Sequence, residues 1–218
     1  YWAIPHFEKM LYDNAALVTV FADAHAATGE ALFGRVAAET ADWVIRDMQH
    51  AEGGYYATLD ADSEGEEGKY YLWTPAEAQT TLDPSELMVS GEHFGLTGEP
   101  NFEGKSWHLQ VRTSLDALDE EVTTEEAEEL LTSARGKLLA AREKRVSPGR
   151  DEKVLVAWNG LMIRAMARAA RHLDRADLVA SATRAVDFIR TKMWNNGRLL
   201  ASYKDDRARF PAYLDDYA

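Results

Sequence analysis

The chain has 218 residues, 46% of them hydrophobic, which predicts a folded chain with a substantial core. Its formal net charge of -13 at pH 7 argues against nucleic acid as a partner, because binding to the phosphate backbone depends on Lys and Arg. The sequence contains no Cys, which excludes thiolate nucleophiles, disulfides and Cys-based zinc sites within it. No apolar run is long enough to span a bilayer, so we expect no membrane partner. The absence of Cys is compatible with a reducing cytoplasm, which is the location we expect.

Two helices of different kinds are predicted at the start of the chain. From residue 7 to residue 27, apolar residues cover most of a helix circumference, which predicts a helix buried on nearly all sides and ended by Gly29. From residue 31 to residue 50, the apolar residues form one stripe, which predicts an outer, half-exposed helix. An inner helix is thus followed by an outer one.

A β-hairpin is predicted at residues 52–73. Its arms are the aromatic segments Tyr55–Leu59 and Lys69–Trp73, whose residue types favour strands. A Gly-rich acidic tip joins the two arms.

Residues 74–150 are predicted to form an insertion with short helices and one long helix. Thr74 and Asp83 are each followed by Pro and, three positions later, by Glu, the pattern of a capping box with Pro at the first helical position. Thr123 or Thr124 can cap the long helix, which is expected to end near Arg145.

The pattern of a buried helix followed by a half-exposed helix occurs again at residues 154–173 and 176–194, and a third helix opening begins near Leu214. Repeated helix pairs that line a common interior are typical of an α/α toroid. We therefore predict a mainly α fold in which residues 1–218 form a single domain, the N-terminal portion of such a toroid. Two complete pairs are too few to close a ring, and we expect the sequence to be a piece of a longer protein.

Polar residues open each predicted inner helix: Asp13 and Asn14 in the first, Asn159 in the second, and Asp215 and Asp216 in the third. If the repeats are equivalent, these side chains converge at one mouth of the toroid. Carboxylates there can act as general acid and base or bind sugar hydroxyls. The alternative is helix capping, for which Asp and Asn are preferred residues.

A second group of candidate residues lies just before the first helix. His6 and Glu8 are spaced so that both can reach one pocket, with Trp2, Tyr12 and Trp158 as stacking walls for a ring-shaped ligand. The alternative is that His6, which follows a proline, has a structural role.

The tip of the predicted hairpin, Asp60–Gly68, resembles the first half of a calcium-binding loop, with oxygen-bearing side chains at alternate positions and Gly at the sixth. Tyr71 stands at the twelfth position, where such a loop requires a bidentate Glu, so no metal site is predicted. One alternative is a solvated acidic tip. Another is a lid that carries Asp60 and Asp62 over the mouth of the toroid.

Long segments of the chain resemble the family of thioredoxin-domain proteins that includes spermatogenesis-associated protein 20 and bacterial YyaL. The segments that carry the resemblance are Pro5–Ala15, Gly53–Tyr56, Asp60–Trp73, Phe102–Lys105, Trp158–Met162 and Leu214–Ala218. The resemblance implies a full-length protein with a thioredoxin-like domain followed by a six-hairpin α/α toroid, similar to glycosidases and N-acylglucosamine 2-epimerases. That domain and the later hairpins are then partners that this sequence lacks. Sugar chemistry follows from this resemblance by analogy of fold.

Two hypotheses for function follow. In the first, a carbohydrate-active toroid, a hydrolase or an isomerase, uses Asp13 with Asp215 or Asp216 as acid and base, assisted by His6 and Glu8. The histidine pair of the epimerases cannot be assigned, because only His6 lies in a mouth segment. In the second, the chain is a non-catalytic module that presents partners to the thioredoxin-like domain. No cofactor is predicted.

The carbohydrate-active hypothesis also assigns a set of substrate-binding residues. They are Trp2, Tyr12, Asn14, Asp60, Asp62, Trp73, Trp158 and Asn159.

Overall fold

The computed structural model describes residues 5–118 and 122–218 and is mainly helical. The chain divides into two compact units. The insertion unit consists of Ala61–Gly149 with the residues before Glu8, and the helix-pair unit consists of Glu8–Asp60 and Arg150–Ala218. The single domain predicted over residues 1–218 stays a prediction.

The first part of the helix-pair unit contains two helices flanked by short strands. An α-helix of 18 residues is followed by one of 13 residues, which continues into five π-helical residues, Val44–Met48. The elements in order are β1 (Lys9–Met10), α1 (Leu11–Thr28), α2 (Ala31–Trp43) and β2 (Thr58–Leu59).

The insertion unit contains a two-stranded ladder and three helices, with a 3₁₀ turn before the last helix. Capping boxes begin the helices at Thr74 and Asp83, as the sequence pattern predicts, and at Thr123, one of the two residues predicted to cap the long helix. The elements in order are β3 (Asp62–Ser63), β4 (Glu66–Glu67), α3 (Pro75–Thr81), α4 (Pro84–Phe94) and α5 (Thr124–Arg142).

The second part of the helix-pair unit again contains two helices among short strands, and its second helix continues into five π-helical residues, Ile189–Met193. A short helix follows the last strand. The elements in order are β5 (Arg150–Asp151), β6 (Val154–Leu155), α6 (Val156–Leu173), α7 (Ala176–Phe188), β7 (Trp194–Asn195), β8 (Arg198–Lys204), β9 (Arg207–Pro211) and α8 (Leu214–Tyr217).

The two parts of the helix-pair unit share one order of elements. Helices α1 and α6 both have 18 residues, helices α2 and α7 both have 13, and a π-helical segment of five residues follows each of the latter. Strand β1 before α1 pairs antiparallel with β2, and strand β6 before α6 pairs antiparallel with β8. Helices α1 and α6 therefore occupy corresponding positions in two copies of one supersecondary unit. That these pairs form part of an α/α toroid stays a prediction.

The core of the helix-pair unit lies between α1 and α6. One face of α1 buries Leu11, Ala15, Val18 and Ala22 in the same cluster as Met162 and other residues of α6. The opposite side of α1 is not covered, since Leu17 is 47% exposed and Val20 is 61% exposed. The prediction that α1 is buried on nearly all sides is therefore wrong within the helix-pair unit. Other elements of this unit pack against only part of the circumference of α1.

A glycine ends the turn that follows the first π-helical segment. Gly53 has φ +123°, and a Cβ atom there would lie 2.3 Å from the carbonyl oxygen of Arg184. Only a residue without a side chain permits this approach between the chain and α7. Gly53, which follows the predicted outer helix, therefore marks a close backbone contact.

The arms predicted for a hairpin at residues 52–73 do not pair with each other. Tyr55 pairs with Gln49, and Trp73 pairs with Trp107. The reason is that β2 has both edges occupied, by β1 on one side and β5 on the other. Only β3 and β4, at the predicted tip, pair as a short hairpin.

Within the described ranges, every helix is too short or too polar to cross a membrane.

Candidate functional site

A groove of about 890 Å³ lies in the helix-pair unit at the N-terminal end of α6. Most of its wall is apolar, with aromatic rings from several elements and four charged side chains at its margin. The side chains and backbone that line it come from Tyr12, Val156, Ala157, Trp158, Gly160, Leu161, Arg164, Val186, Ile189, Arg190, Trp194, Leu199, Asp215, Asp216 and Ala218. Four residues predicted from the sequence, Tyr12, Trp158, Asp215 and Asp216, are thus brought together.

Asp216 holds α8 against the start of α6. One of its carboxylate oxygens accepts a hydrogen bond from the backbone N–H of Ala157 at 3.1 Å, and the other accepts one from the backbone N–H of Tyr213 at 2.9 Å. A carboxylate at this position is favourable, because the first N–H groups of a helix lack partners inside the helix and carry partial positive charge. Asp216 therefore caps the starts of α6 and α8. Helix capping was the alternative to a catalytic role that the sequence left open for this residue.

Tyr12, Trp158 and Trp194 line the groove, and Trp194 pairs with Tyr217, which lies outside the lining. The rings of Tyr12 and Trp158 meet edge to face with 4.8 Å between their centroids. The rings of Trp194 and Tyr217 meet edge to face at 6.4 Å, and the hydroxyl of Tyr217 accepts a hydrogen bond from the backbone N–H of Leu199 at 3.1 Å. Trp194 is 50% exposed, so this indole leaves much of its surface open to a ligand.

Three of the charged side chains of the groove remain available to a ligand. Among the residues that the structure describes, Asp215 and Arg164 have no hydrogen-bond or ion-pair partner. Arg190 has one ion pair, with Asp187 at 3.8 Å, and both of those side chains are largely exposed. Asp215 can therefore contact a ligand without breaking a hydrogen bond or an ion pair within the protein.

Asn159 is a structural residue. It is completely buried, its side-chain oxygen accepts a hydrogen bond from the backbone N–H of Tyr55 at 2.8 Å, and its side-chain nitrogen donates to the backbone oxygens of Tyr55 and Leu155, each at 2.9 Å. The position predicted to bind substrate instead joins α6 to the segment before β2. The reason is that Tyr55 presents two backbone groups that need partners.

Asn14 occupies the corresponding position in α1. Its side-chain nitrogen donates to the backbone oxygen of Met10 at 2.7 Å, just as Asn159 donates to Leu155. Asn14 is half-buried and does not line the groove. Asp13, one position earlier, is exposed and also lies outside the groove lining.

The residues before α1 are divided between the two units. His6 is exposed and belongs to the insertion unit, whereas Glu8 is exposed and belongs to the helix-pair unit. Trp2 lies outside the described residues. A joint role for His6 and Glu8 therefore stays a prediction.

Trp73 is not open to a ligand within the insertion unit. It is 3% exposed, pairs with Trp107 through backbone hydrogen bonds, and has the guanidinium of Arg145 4.2 Å from its ring centroid. The same arginine donates to the backbone oxygens of Tyr70 and Leu72 at 3.0 and 2.6 Å. The stacking surface predicted for a sugar is thus occupied by a side chain of the protein itself.

The acidic segment around β3 and β4 is partly neutralised. Lys69 forms ion pairs with Glu66 at 2.7 Å and with Glu64 at 3.4 Å. Across the described ranges, no group of three or more His, Asp or Glu side chains is placed so that it could hold a metal ion. Asp60 and Asp62 are both exposed; the first belongs to the helix-pair unit and the second to the insertion unit.

A second groove, of about 710 Å³, lies in the insertion unit. It contains side chains of both charges, among them Glu67, Lys69, Glu103, Lys105 and Lys144, with Tyr70 and Phe102 as its aromatic members. Several charges of the lining are already paired inside the unit, such as Lys69 with Glu66 and Arg145 with Glu77. This mixture does not select one class of ligand.

Sequence reasoning missed the other residues of the first groove, three of which have charged or aromatic side chains: Arg164, Arg190 and Trp194. Arg164 lies two turns into α6 on the exposed side, and an exposed arginine on a helix is usually only a solvated residue. Trp194 follows the π-helical segment and was included in the predicted helix, so its turn toward the groove was not visible in the helical pattern. The signal that could have found it is the aromatic residue directly after the end of the apolar stripe.

The chain has distant similarity to solved structures of sugar-converting enzymes. The crystal structure of D-mannose isomerase is 14% identical, with a TM-score of 0.28, and the match covers 91% of this chain and 46% of that one. Cellobiose 2-epimerase from Spirochaeta thermophila is 15% identical, with a TM-score of 0.27, and the match covers 95% of this chain and 65% of that one. TM-scores this low do not establish a shared fold. No protein-family model matches the chain.

Curated proteins give a much stronger match in sequence. Spermatogenesis-associated protein 20 of Mus musculus is 37% identical over 226 residues, and the Homo sapiens protein is 35% identical over 228 residues. Each match covers 91% of this chain and 29% of the relative. An uncharacterized protein of Caenorhabditis elegans is 27% identical over 251 residues, which covers 100% of this chain and 34% of that protein. The chain therefore has homologues named spermatogenesis-associated protein 20, and it spans 29% of the length of the mouse and human relatives.

Proposed function

We propose that the groove at the start of α6 binds a ring-shaped polar ligand of the carbohydrate class. The observation that carries the proposal is the combination of Tyr12, Trp158 and Trp194 with the available carboxylate of Asp215 in one groove of about 890 Å³. Aromatic rings offer flat apolar surfaces to the C–H faces of sugars, while a carboxylate accepts hydrogen bonds from hydroxyls. The volume falls within the range of roughly 300–1,000 Å³ that is typical of small-molecule sites.

The charged groups favour binding more than glycoside hydrolysis. Hydrolysis of a glycosidic bond ordinarily needs two carboxyl groups that flank it. In this groove both oxygens of Asp216 accept backbone hydrogen bonds, and Asp13 does not line the groove. Asp215 is the acid/base candidate, and a second catalytic group would have to come from elsewhere in a longer protein. The α/α toroid and a cytoplasmic location belong to the same proposal, which the repeated helix pairs and the Cys-free sequence support.

Calorimetric titration of the chain with a panel of monosaccharides, oligosaccharides and amino sugars tests the proposal. We expect at least one sugar to bind, and Trp158→Ala to weaken that binding about 10-fold through loss of a stacking surface. Tyr213→Ala is the matched control, because Tyr213 is 73% exposed and lies outside the groove lining. Circular dichroism of both variants establishes that they are folded. Absence of binding across the panel, with the unmodified chain folded, would contradict the proposal.

A non-catalytic interaction module is the second candidate. Phe210, Tyr213 and Leu214 are 65%, 73% and 86% exposed, so several large apolar side chains lie together in sequence on the surface of the helix-pair unit. Such side chains are typical of a protein-contact surface. If this candidate holds, Leu214→Glu reduces binding of the chain to a separately produced thioredoxin-like domain of a full-length relative, measured by titration, and leaves sugar binding unchanged.

A further inference from the structure

The groove at the start of α6 contains two arginine side chains that the proposed binding of a neutral sugar does not use. Arg164 has no hydrogen-bond or ion-pair partner among the described residues, and Arg190 has only the exposed contact with Asp187 at 3.8 Å. An arginine guanidinium offers five N–H donors in a planar fork that matches phosphate and carboxylate groups. Both donors lie in the same groove as the aromatic walls.

Asp216 is already engaged by the protein itself. Its two oxygens accept hydrogen bonds from the backbone N–H groups of Ala157 and Tyr213. The lining holds two arginines and two aspartates, so its formal charges balance. Because the carboxylate of Asp216 is occupied, the two guanidinium groups and the carboxylate of Asp215 are the charged groups that can contact a ligand.

We infer that the ligand of this groove is an anionic sugar, with a phosphate or carboxylate group that Arg164 and Arg190 bind and a ring that stacks on the aromatic wall. This inference rests on the proposed carbohydrate function and specifies its ligand class. The two arginines come from α6 and from the π-helical segment after α7, which pack into the two hydrophobic clusters of the helix-pair unit. The apolar residues Leu161 and Val186 line the same groove and offer a surface for the sugar ring.

Titration of the 218-residue chain with glucose, glucose 6-phosphate, glucuronate and inorganic phosphate tests the inference. We expect glucose 6-phosphate or glucuronate to bind about 10-fold more tightly than glucose, because a charge-assisted Arg contact is worth roughly that factor. The preferred one of the two identifies the anionic group as phosphate or carboxylate. Arg164→Gln and Arg190→Gln should each remove most of this preference, measured as the ratio of the affinity for the charged sugar to the affinity for glucose. Arg171→Gln is the matched control, since Arg171 is an exposed arginine of α6 outside the groove lining.

The outcomes separate this inference from the proposed function. If glucose binds in a Trp158-dependent manner and neither charged sugar binds more tightly, the inference is overturned and the proposed function stands. Inorganic phosphate that binds as tightly as glucose 6-phosphate also overturns it, because the ring then contributes nothing. A preference that Arg171→Gln removes as fully as Arg164→Gln does would overturn it as well, since the effect would then reflect general charge.

Discussion

Two asparagines show how corresponding residues acquire different roles. Asn14 and Asn159 are the fourth residues of α1 and α6, and each donates to the backbone oxygen four residues earlier. Only Asn159 also exchanges two hydrogen bonds with the backbone of Tyr55. The shared bond belongs to the helix opening, whereas the additional pair joins two segments that are distant in sequence.

Replacement of each asparagine by Ala separates these two contributions. We expect Asn159→Ala to lower the free energy of unfolding by about 2–4 kcal/mol, because it leaves a buried N–H and a buried carbonyl of Tyr55 without partners. Asn14→Ala should change it by less than about 1 kcal/mol, since its single bond is local and half-exposed. Urea unfolding followed by circular dichroism measures both values. Equal losses in the two variants would show that the link to Tyr55 contributes nothing.

At the scale of elements, Glu86 joins α4 to α5 in the insertion unit. Its carboxylate accepts hydrogen bonds from the hydroxyl of Ser133 at 2.6 Å, from the ammonium of Lys137 at 2.9 Å and from the backbone N–H of Asp83 at 2.9 Å. The hydrogen bond from Lys137, followed by that from Ser133, lowers the pKa of Glu86 from 4.5 to about 2. The carboxylate is 3% exposed, so these contacts replace most of its hydration.

The lowered pKa of Glu86 predicts a loss of stability in acid. A carboxylate whose pKa is depressed on folding stabilises the fold above its unfolded pKa, and this contribution disappears as the pH falls from about 4.5 toward about 2. We expect Glu86→Gln to lower the free energy of unfolding at pH 7 by about 1–3 kcal/mol and to flatten its dependence on pH in that window. Glu128→Gln, which changes an exposed residue of α5, is the control. Thermal unfolding from pH 7 to pH 2 checks this, and identical pH dependence of the variant and the unmodified chain would contradict it.

At the scale of the whole molecule, the insertion unit occupies the position of a hairpin turn. Strands β2 and β5 pair antiparallel, with Leu59 opposite Arg150, and residues 61–149 lie between them in the sequence. In the second copy of the unit, Lys204 lies opposite Arg207, and Asp205 and Asp206 with φ 51° and 56° close the hairpin. A two-residue turn in one copy thus corresponds to a whole unit in the other.

This correspondence predicts that the helix-pair unit folds without the insertion. Removal of residues 1–7, with Asn-Gly in place of residues 60–149, joins Leu59 to Arg150 by the dipeptide that favours a tight antiparallel turn. We expect a helical circular dichroism spectrum and one cooperative unfolding transition. Direct joining of Leu59 to Arg150 is the control, because it leaves no residues to make the turn. A non-cooperative Asn-Gly variant would show that the helix-pair unit depends on the insertion for stability.

The sequence by itself determined features that depend on residues close together in the chain. Capping boxes at Thr74, Asp83 and Thr123 need only a side chain and a backbone group three residues away, so the helix starts were predictable. The resemblance to spermatogenesis-associated protein 20 was predictable for a similar reason, since long motifs such as Pro5–Ala15 are read directly from the residues, and homologues of that name confirm it. Four residues predicted at the starts of α1, α6 and α8 also line the groove: Tyr12, Trp158, Asp215 and Asp216.

The tertiary structure alone decided which of the predicted residues meet. The side chain of Asn159 is hydrogen-bonded to Tyr55, and the ring of Trp73 is covered by Arg145. Trp194 lines the groove. Each of these positions depends on contacts with segments that are distant in the sequence. The predicted hairpin failed for the same reason, because both edges of β2 were taken by strands far away in sequence. The local pattern of residues determines which face of a helix or strand is apolar and where the helix or strand ends. Packing and strand pairing across the whole unit determine which residue covers that face.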